Sequence, residues 1–492
     1  MVGIKRKASD DVAEVDDRPG ADSRLGLPTG GPGRIQPNPG RTGRTGRPAP
    51  GVSADGYFRH LYASEPDFKH LARQDSQFAA ALQDNGQLDF SDPNATMQLT
   101  RTLLGIDFGL KLDLPEDRLC PPVPNRHNYI LWLKDLMDTT SYEPPSRKLC
   151  GLDVGTGASC IYPLLGTAQR QWIFVATDID TKNLDYARKN IQINGLGDRI
   201  RLLERKPDDP LIPLDEAGIP SIDFVMMNPP FYSSEEDMVS SAVKKARPPM
   251  SACTGAPVEM VCDGGEVAHV GRLLRESLVL RGRIQWYTSM LGKLTSLDAL
   301  IDQLREHDID NYAVTEFVQG NKTRRWALGW SFGQMRPAEH VARGMKASHW
   351  RKILPSSVMA ELLVLPADEP VDPVIAGIQK VMGELELMSW RWEPETAKGL
   401  GRTKENVWSR AWRRKKLQDG REGDQNEACA VLTTEPKECR LGFEVGVVAG
   451  KAETCVSLHW REGNDPLIFE SLKGFLQGKL KATRDQVERA SS

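Results

Sequence analysis

Four residues, Asn228-Pro229-Pro230-Phe231, follow directly on the apolar run Ile222-Asp223-Phe224-Val225-Met226-Met227. Neither proline can donate a backbone hydrogen bond, and each holds the residue before it out of the helical region, so a strand ending here runs into a stiff, extended turn. That turn brings the Asn228 side-chain oxygen, the Pro229 carbonyl and the flat face of Phe231 or Tyr232 to one point. A planar amino group suits it: the two acceptors take its protons, and the ring covers the system that carries it. A bare Asn-Pro-Pro is equally a proline-stiffened surface turn, so the rest of the chain has to decide.

A second constellation lies upstream, in Leu152-Asp153-Val154-Gly155-Thr156-Gly157-Ala158-Ser159. Glycines at a strand-to-helix turn let the backbone approach a ligand, and the first turn of the helix offers unpaired N–H groups. A dinucleotide loop would add a third glycine where Cys160 stands. Its absence disfavours a pyrophosphate and favours S-adenosylmethionine, whose methionine carboxylate needs only a small anion site. Asp153, Gly155 and Gly157 are therefore candidate cofactor residues. Roughly 20 residues on, Ala176-Thr177-Asp178 ends a second strand, where a carboxylate can accept both ribose hydroxyls. Asp180 competes with Asp178, which is preferred because it sits at the strand tip. Glycine loop, acid and Asn-Pro-Pro-Phe in this order predict an adenosylmethionine-dependent N-methyltransferase.

The elements that must position these residues alternate regularly. Lys148 to Val154, Gln171 to Thr177, Arg199 to Leu203, Ile222 to Met227 and Arg283 to Leu291 read as strands. Helices are expected at about Ala158 to Ala168, Thr181 to Asn194, Gly265 to Leu278 and Ser296 to Glu306. The pair Tyr312 to Phe317 and Arg325 to Phe332 closes the series as a hairpin. This spacing predicts an α/β fold, a class I Rossmann-like domain with a doubly wound, mostly parallel seven-stranded sheet. Ligands of such sheets lie beyond the carboxyl ends of the strands.

The expected organisation is a disordered tail over 1–54, a helical N-terminal module over 55–125, a methyltransferase domain over 126–345, a small α+β domain over 346–485 with an inserted polar loop, and a tail over 486–492. The first tail is rich in Gly, Pro and Arg and cannot bury enough surface to offset its ordering entropy. Its Lys5-Arg6-Lys7 reads as a nuclear import signal or as inert. In the last domain, strands are expected at Val358 to Leu365, Ser389 to Trp392, Arg440 to Val448 and Glu453 to Trp460, with helices at Pro373 to Leu387 and Pro466 to Leu480. The cluster Trp408 to Lys416 mixes stacking surface with charge, although Trp408 and Trp412 stand at helical spacing and also suit a core.

At 492 residues the chain exceeds one ordinary core. No run approaches the roughly 20 apolar residues of a membrane helix, and the first residues lack a secretory apolar core, so a soluble intracellular protein is expected. The 8 cysteines form no CxxC pair and stand near no histidine pairing, which argues against a metal site and a disulfide framework. The net charge of −3 conceals basic sets at Lys244, Lys245 and Arg247, and at Lys322, Arg324 and Arg325. Both fall in loops near the catalytic edge, where they could neutralise phosphates.

Asp153 to Gly166, Asn228 to Phe231, Arg325-Trp326-Ala327-Leu328-Gly329-Trp330 and Trp286 to Lys293 resemble the methyltransferase-like protein 16 family. These are nuclear RNA adenine-N6 methyltransferases with a bacterial relative that modifies ribosomal RNA. The likeness runs from about Tyr57 to Phe332 and continues more faintly over 356–480, where Ser357 to Leu362 and Ser457 to Gly463 resemble the family's C-terminal RNA-binding region. It implies methylation of an adenine in the structured U6 small nuclear RNA, with Arg126, Gly155, Asp178 and Asn228 on S-adenosylmethionine and Asn228 to Phe231 around the base. A nuclear location follows, with the cytoplasm as second compartment, and the C-terminal domain becomes a candidate homodimer surface. The family's lysine-bearing loop after the third strand has no aligned lysine in Arg205-Lys206-Pro207-Asp208-Asp209-Pro210. A protein-glutamine methyltransferase and an RNA-binding splicing factor remain the alternatives.

Overall fold

The computed structural model describes residues 54–238, 255–319, 323–345, 352–414 and 439–491. Strands β1 (Cys150–Val154), β2 (Ile173–Asp178), β3 (Ile200–Glu204), β4 (Ile222–Met227), β5 (Ile284–Leu291), β6 (Tyr312–Gln319), β7 (Thr323–Trp330) and β8 (Arg343–Gly344) form one sheet. Its order is β3-β2-β1-β4-β5-β7-β6-β8. Only β7 runs antiparallel to its neighbours. Seven strands match the expected sheet, and β8 adds a two-residue eighth at the edge of β6. Such a piece has no period to read. It exists because Gly344 lies against Thr315, where a Cβ would come within 2.4 Å of the hydroxyl.

The central strands are apolar on both faces because both faces are covered. Phe224 and Met226 of β4 enter one core, and Val225 and Met227 enter the other. The first core also holds the N-terminal helices α1 (Asp55–His60), α2 (Phe68–Gln74), α3 (Ser76–Ala81) and α4 (Pro93–Leu103), together with α5 (Val123–Thr139) and α6 (Ile161–Gln169). Asp67, Asp75 and Asp92 cap α2, α3 and α4 through backbone N–H groups. Asp55 joins α1 to the sheet layer by accepting Lys134 at 2.6 Å and by pairing with Arg170, which also meets Asp138 at 2.9 Å. A buried cluster of this kind fixes geometry, and removing one member would strand a charge.

Helix α6 starts at Ile161, three residues later than its sequence pattern predicts. Cys160 holds φ at +49°, so residues 157–160 form turns before the helix begins.

The C-terminal part is a five-stranded antiparallel sheet of β9 (Met359–Pro366), β10 (Ser389–Glu393), β11 (Lys398–Thr403), β12 (Leu441–Ala449) and β13 (Glu453–Glu462), in the order β10-β11-β12-β13-β9. The helices Asp372–Gly383 and Pro466–Ser491 share its core. Strand β11 was not expected, because Lys-Gly-Leu-Gly-Arg-Thr reads as a loop. Its glycines are spacers: a Cβ at Gly399 would lie 2.1 Å from the Trp390 ring, and one at Gly401 would lie 2.3 Å from Phe443. Trp408 is a core residue with its indole N–H on the Ser471 hydroxyl, so it is not an exposed stacking surface. The two sheets meet at Arg336, whose backbone N–H reaches the Arg461 carbonyl at 2.8 Å and whose guanidinium covers Trp460 at 4.4 Å. Among the described residues no helix is long and apolar enough to cross a membrane.

Strand β1 depends on the closest approach in this sheet. A Cβ at Gly151 would lie 2.2 Å from the Phe224 ring. Gly151→Ala is therefore expected to lower stability by about 1–3 kcal/mol through overpacking. Denaturant unfolding measures this, and an unchanged midpoint would contradict it.

Candidate active site and cofactor cavity

β1 pairs with β2 on one side and β4 on the other, which sets Val154 between Thr177 and Met227. The chain therefore leaves three adjacent strands at one edge, carrying Gly155, Asp178 and Asn228. This is the point where the winding reverses, and a cavity of about 540 Å³ opens there. Its wall includes Arg126, Gly155, Gly157, Asp178, Asn228, Pro229 and Pro230.

Gly155 and Gly157 take φ of 71° and 64°, which most side chains resist. Thr156 N–H donates to the Thr177 carbonyl at 2.8 Å, and Gly157 N–H to the Asp178 carboxylate at 2.8 Å. Asp178 also accepts Asp180 N–H at 3.0 Å and the Asn183 amide at 3.3 Å. Burial pushes its carboxyl above the usual range. Three donors leave part of the acceptor capacity of a carboxylate for a ligand. Asp180 is occupied elsewhere, capping α7 (Thr181–Ile193) and pairing with Arg118 at 3.1 Å.

Asp153 does not reach the cavity. It is fully enclosed, with one oxygen accepting the Thr156 hydroxyl at 2.8 Å and the other unpaired. Its expected cofactor contact is thus replaced by a role beneath the glycine loop. Burial pushes its carboxyl up to about 7.

At the end of β4, the Asn228 Oδ1 lies 3.5 Å from Nη1 of Arg126, a buried residue of α5. Arginine only donates, so the oxygen side of the amide must face it, which fixes the amide orientation. Arg126 is itself held 5.6 Å above the Tyr162 ring. No described residue donates to the Pro229 carbonyl. Beyond Phe231 the chain is clamped: Tyr232 N–H donates to Met260 at 3.1 Å, and Cys262 N–H returns to Tyr232 at 3.0 Å.

Phe231 does not line the cavity itself. Its ring lies against Gly292, where a Cβ would come within 2.8 Å, and Arg325 covers it at 5.3 Å. The buried Glu266 carboxylate holds this corner by accepting Gly292 N–H at 2.7 Å and Lys293 N–H at 3.0 Å. Glu266 and Gly292 escaped the sequence reading. The available signal was an acid one position after Gly264-Gly265, entering an otherwise apolar helix.

Of the expected RNA contacts, Arg325 is half-buried and lies over the Phe231 ring at 5.3 Å, and its guanidinium is lowered by burial and by Arg126. Arg324 is exposed and pairs with Glu316 at 2.7 Å. Lys244, Lys245, Arg247 and Lys322 lie outside the described residues. The segment Arg205 to Leu211 forms the far wall. Arg272 holds it through the Pro207 carbonyl at 2.8 Å, and Glu276 accepts Leu211 N–H at 2.8 Å.

The profile of a family described as RNA methyltransferase matches residues 53–334. The chain is 36% identical over 402 residues to a U6 small nuclear RNA (adenine-(43)-N(6))-methyltransferase of Schizosaccharomyces pombe, covering 82% of this chain and 96% of that protein. It is 37% identical to the mouse RNA N(6)-adenosine-methyltransferase METTL16, over 71% of this chain and 61% of that protein's length. The crystal structure of the hMettl16 catalytic domain in complex with MAT2A 3'UTR hairpin 1 matches with a TM-score of 0.50 at 41% identity, covering 55% of this chain and 92% of that one.

The Asp153 carboxyl gives the ligand-free protein a pH dependence. An unfolded aspartate loses its proton near about 3.9, whereas the buried one keeps it up to about 7. Between these values the native state binds more protons, so stability falls as pH rises. Asp153→Asn keeps an acceptor for Thr156 and removes the ionisation. Its stabilising effect in denaturant titrations is expected to be larger at pH 8 than at pH 5, by roughly 2 kcal/mol. Equal shifts at both pH values would contradict the buried-acid assignment.

Proposed function

The chain belongs to the RNA methyltransferase family, and from that premise we propose that it transfers a methyl group from S-adenosylmethionine to N6 of an adenosine in U6 small nuclear RNA. The observation that carries this reading is the shared edge. The Asn228 and Pro229 acceptors stand at the cavity that the glycine turn and Asp178 line, and Phe231 follows the wall residue Pro230 in the chain.

The residues fit the cofactor. A glycine turn at positive φ gives close backbone approach, and Asp178 keeps acceptor capacity for a ribose diol. Arg126 supplies fixed positive charge in the same wall. When bound, S-adenosylmethionine supplies a methyl group on a positively charged sulfur. The protein's part is to hold the adenine amino group. Asn228 and Pro229 accept its two protons, which draws electron density onto the nitrogen and points its lone pair along the transfer line. The N–CH3 bond forms as the S–CH3 bond breaks, and one amino proton passes to water. No strong base is required, because positioning can supply about 7–11 kcal/mol. Phe231 offers the stacking face, and Arg325 adds positive charge beside it.

A glutamine side chain would satisfy the same two acceptors, but it offers no heterocycle to the Phe231 and Arg325 surface. A nuclear location accords with the RNA substrate. The homodimer through the C-terminal domain remains part of the proposal, with β10 and β9 as the outer strands of its sheet.

The test offers purified protein and labelled S-adenosylmethionine to U6 RNA and to a protein extract. Label is expected in the RNA as N6-methyladenosine. Asn228→Ala should lower the rate by at least about 100-fold. Label in protein alone would contradict the RNA reading.

A further inference from the structure

Glu259 lies in the segment that returns to the site after Phe231, within the short helix Pro257–Met260. One of its oxygens, Oε2, is committed: it accepts Leu119 N–H at 2.9 Å and Ala256 N–H at 3.0 Å. These donors are 137 residues apart (256 − 119), so a single oxygen joins the N-terminal segment to the return segment. The other oxygen, Oε1, faces the glycine turn, 3.6 Å from where a Gly157 Cβ would stand. No described residue donates a hydrogen bond to it, and Glu259 is part of the cavity wall.

Gly157 thus sits between two carboxylates, giving its N–H to Asp178 on one side and facing Glu259 on the other. Burial raises the Glu259 carboxyl, its two backbone donors and Arg118 lower it, and Asp178 raises it again. A buried acid and a half-enclosed one around one glycine make a poor site for an anion and a good one for a cation. Burying such a charge without a partner is costly, so an incoming ammonium would be bound firmly.

We propose that Glu259 receives the α-ammonium of the cofactor's amino-acid end. This rests on the proposed use of S-adenosylmethionine. Asp178, at the tip of β2, then takes the ribose, and the two acids divide the cofactor between them. Through its other oxygen Glu259 ties Leu119 of the N-terminal segment to Ala256 of the return segment, which fixes its position beside the glycine turn. Asp153 does not compete for this role, being enclosed beneath the turn.

The test is calorimetric binding of three ligands to the full chain: S-adenosylmethionine, S-adenosylhomocysteine and 5'-methylthioadenosine, the last lacking the amino-acid end. Glu259→Gln keeps an acceptor for Leu119 and Ala256 while removing the charge. Its Kd for the first two ligands is expected to rise about tenfold or more, with the Kd for methylthioadenosine unchanged. Glu259→Ala should weaken all three, since it also releases both backbone donors. Equal weakening of all three by Glu259→Gln, or weakening of none, would overturn the proposal. Failure of the unaltered protein to bind any of the three would instead overturn the cofactor reading.

Discussion

The parallel pairing of β1 between β2 and β4 is the constraint on which the rest depends. It sets the ends of three strands level, so the glycine turn, the Asp178 carboxylate and the Asn228 amide emerge side by side though far apart in sequence. A slip of one residue would turn each strand's side chains to the other face and separate these groups. The register is enforced by burial on both faces, with Phe224 filling the space left by Gly151 and Val225 and Met227 entering the opposite core.

Around that edge the structure fixes polar groups rather than leaving them to solvent. Arg126 holds Asn228, Glu266 holds the turn beside Phe231, Glu259 ties Leu119 to Ala256, and Arg272 with Glu276 secures the far wall. Arg126 and Glu266 are taken out of water and Glu259, Arg272 and Glu276 only partly so, and the two buried charges contribute specificity of position more than net stability. Asp153, with one orphaned oxygen, is a local cost accepted beneath the ligand turn.

The sheet was legible because its strands are apolar runs bounded by Gly, Pro and Asn, and because helices alternate with them. Asp178 could be preferred over Asp180 from its place at a strand tip, and Asp180 is indeed engaged in capping α7. What could not be read depends on contacts between distant segments. Glycines in β11 look like loop residues until Trp390 and Phe443 are seen to need the space. Trp408 looks like an RNA-stacking residue until Ser471 receives its N–H. Glu259 and Glu266 could not be read because Leu119, Gly292 and Lys293 lie in segments brought near them only by the fold.

The central claim is that a fixed pair of acceptors, not a titrating base, prepares the adenine nitrogen. Neither the Asn228 amide, whose oxygen faces Arg126, nor the Pro229 carbonyl is a titrating group. The most direct measurement is the single-turnover rate of methyl transfer, with cofactor and RNA both saturating, across pH 6.5 to 9. A rate constant that varies less than about twofold is predicted. A rate that climbs about tenfold per pH unit through a group titrating near 7 would show a general base at work and contradict the account.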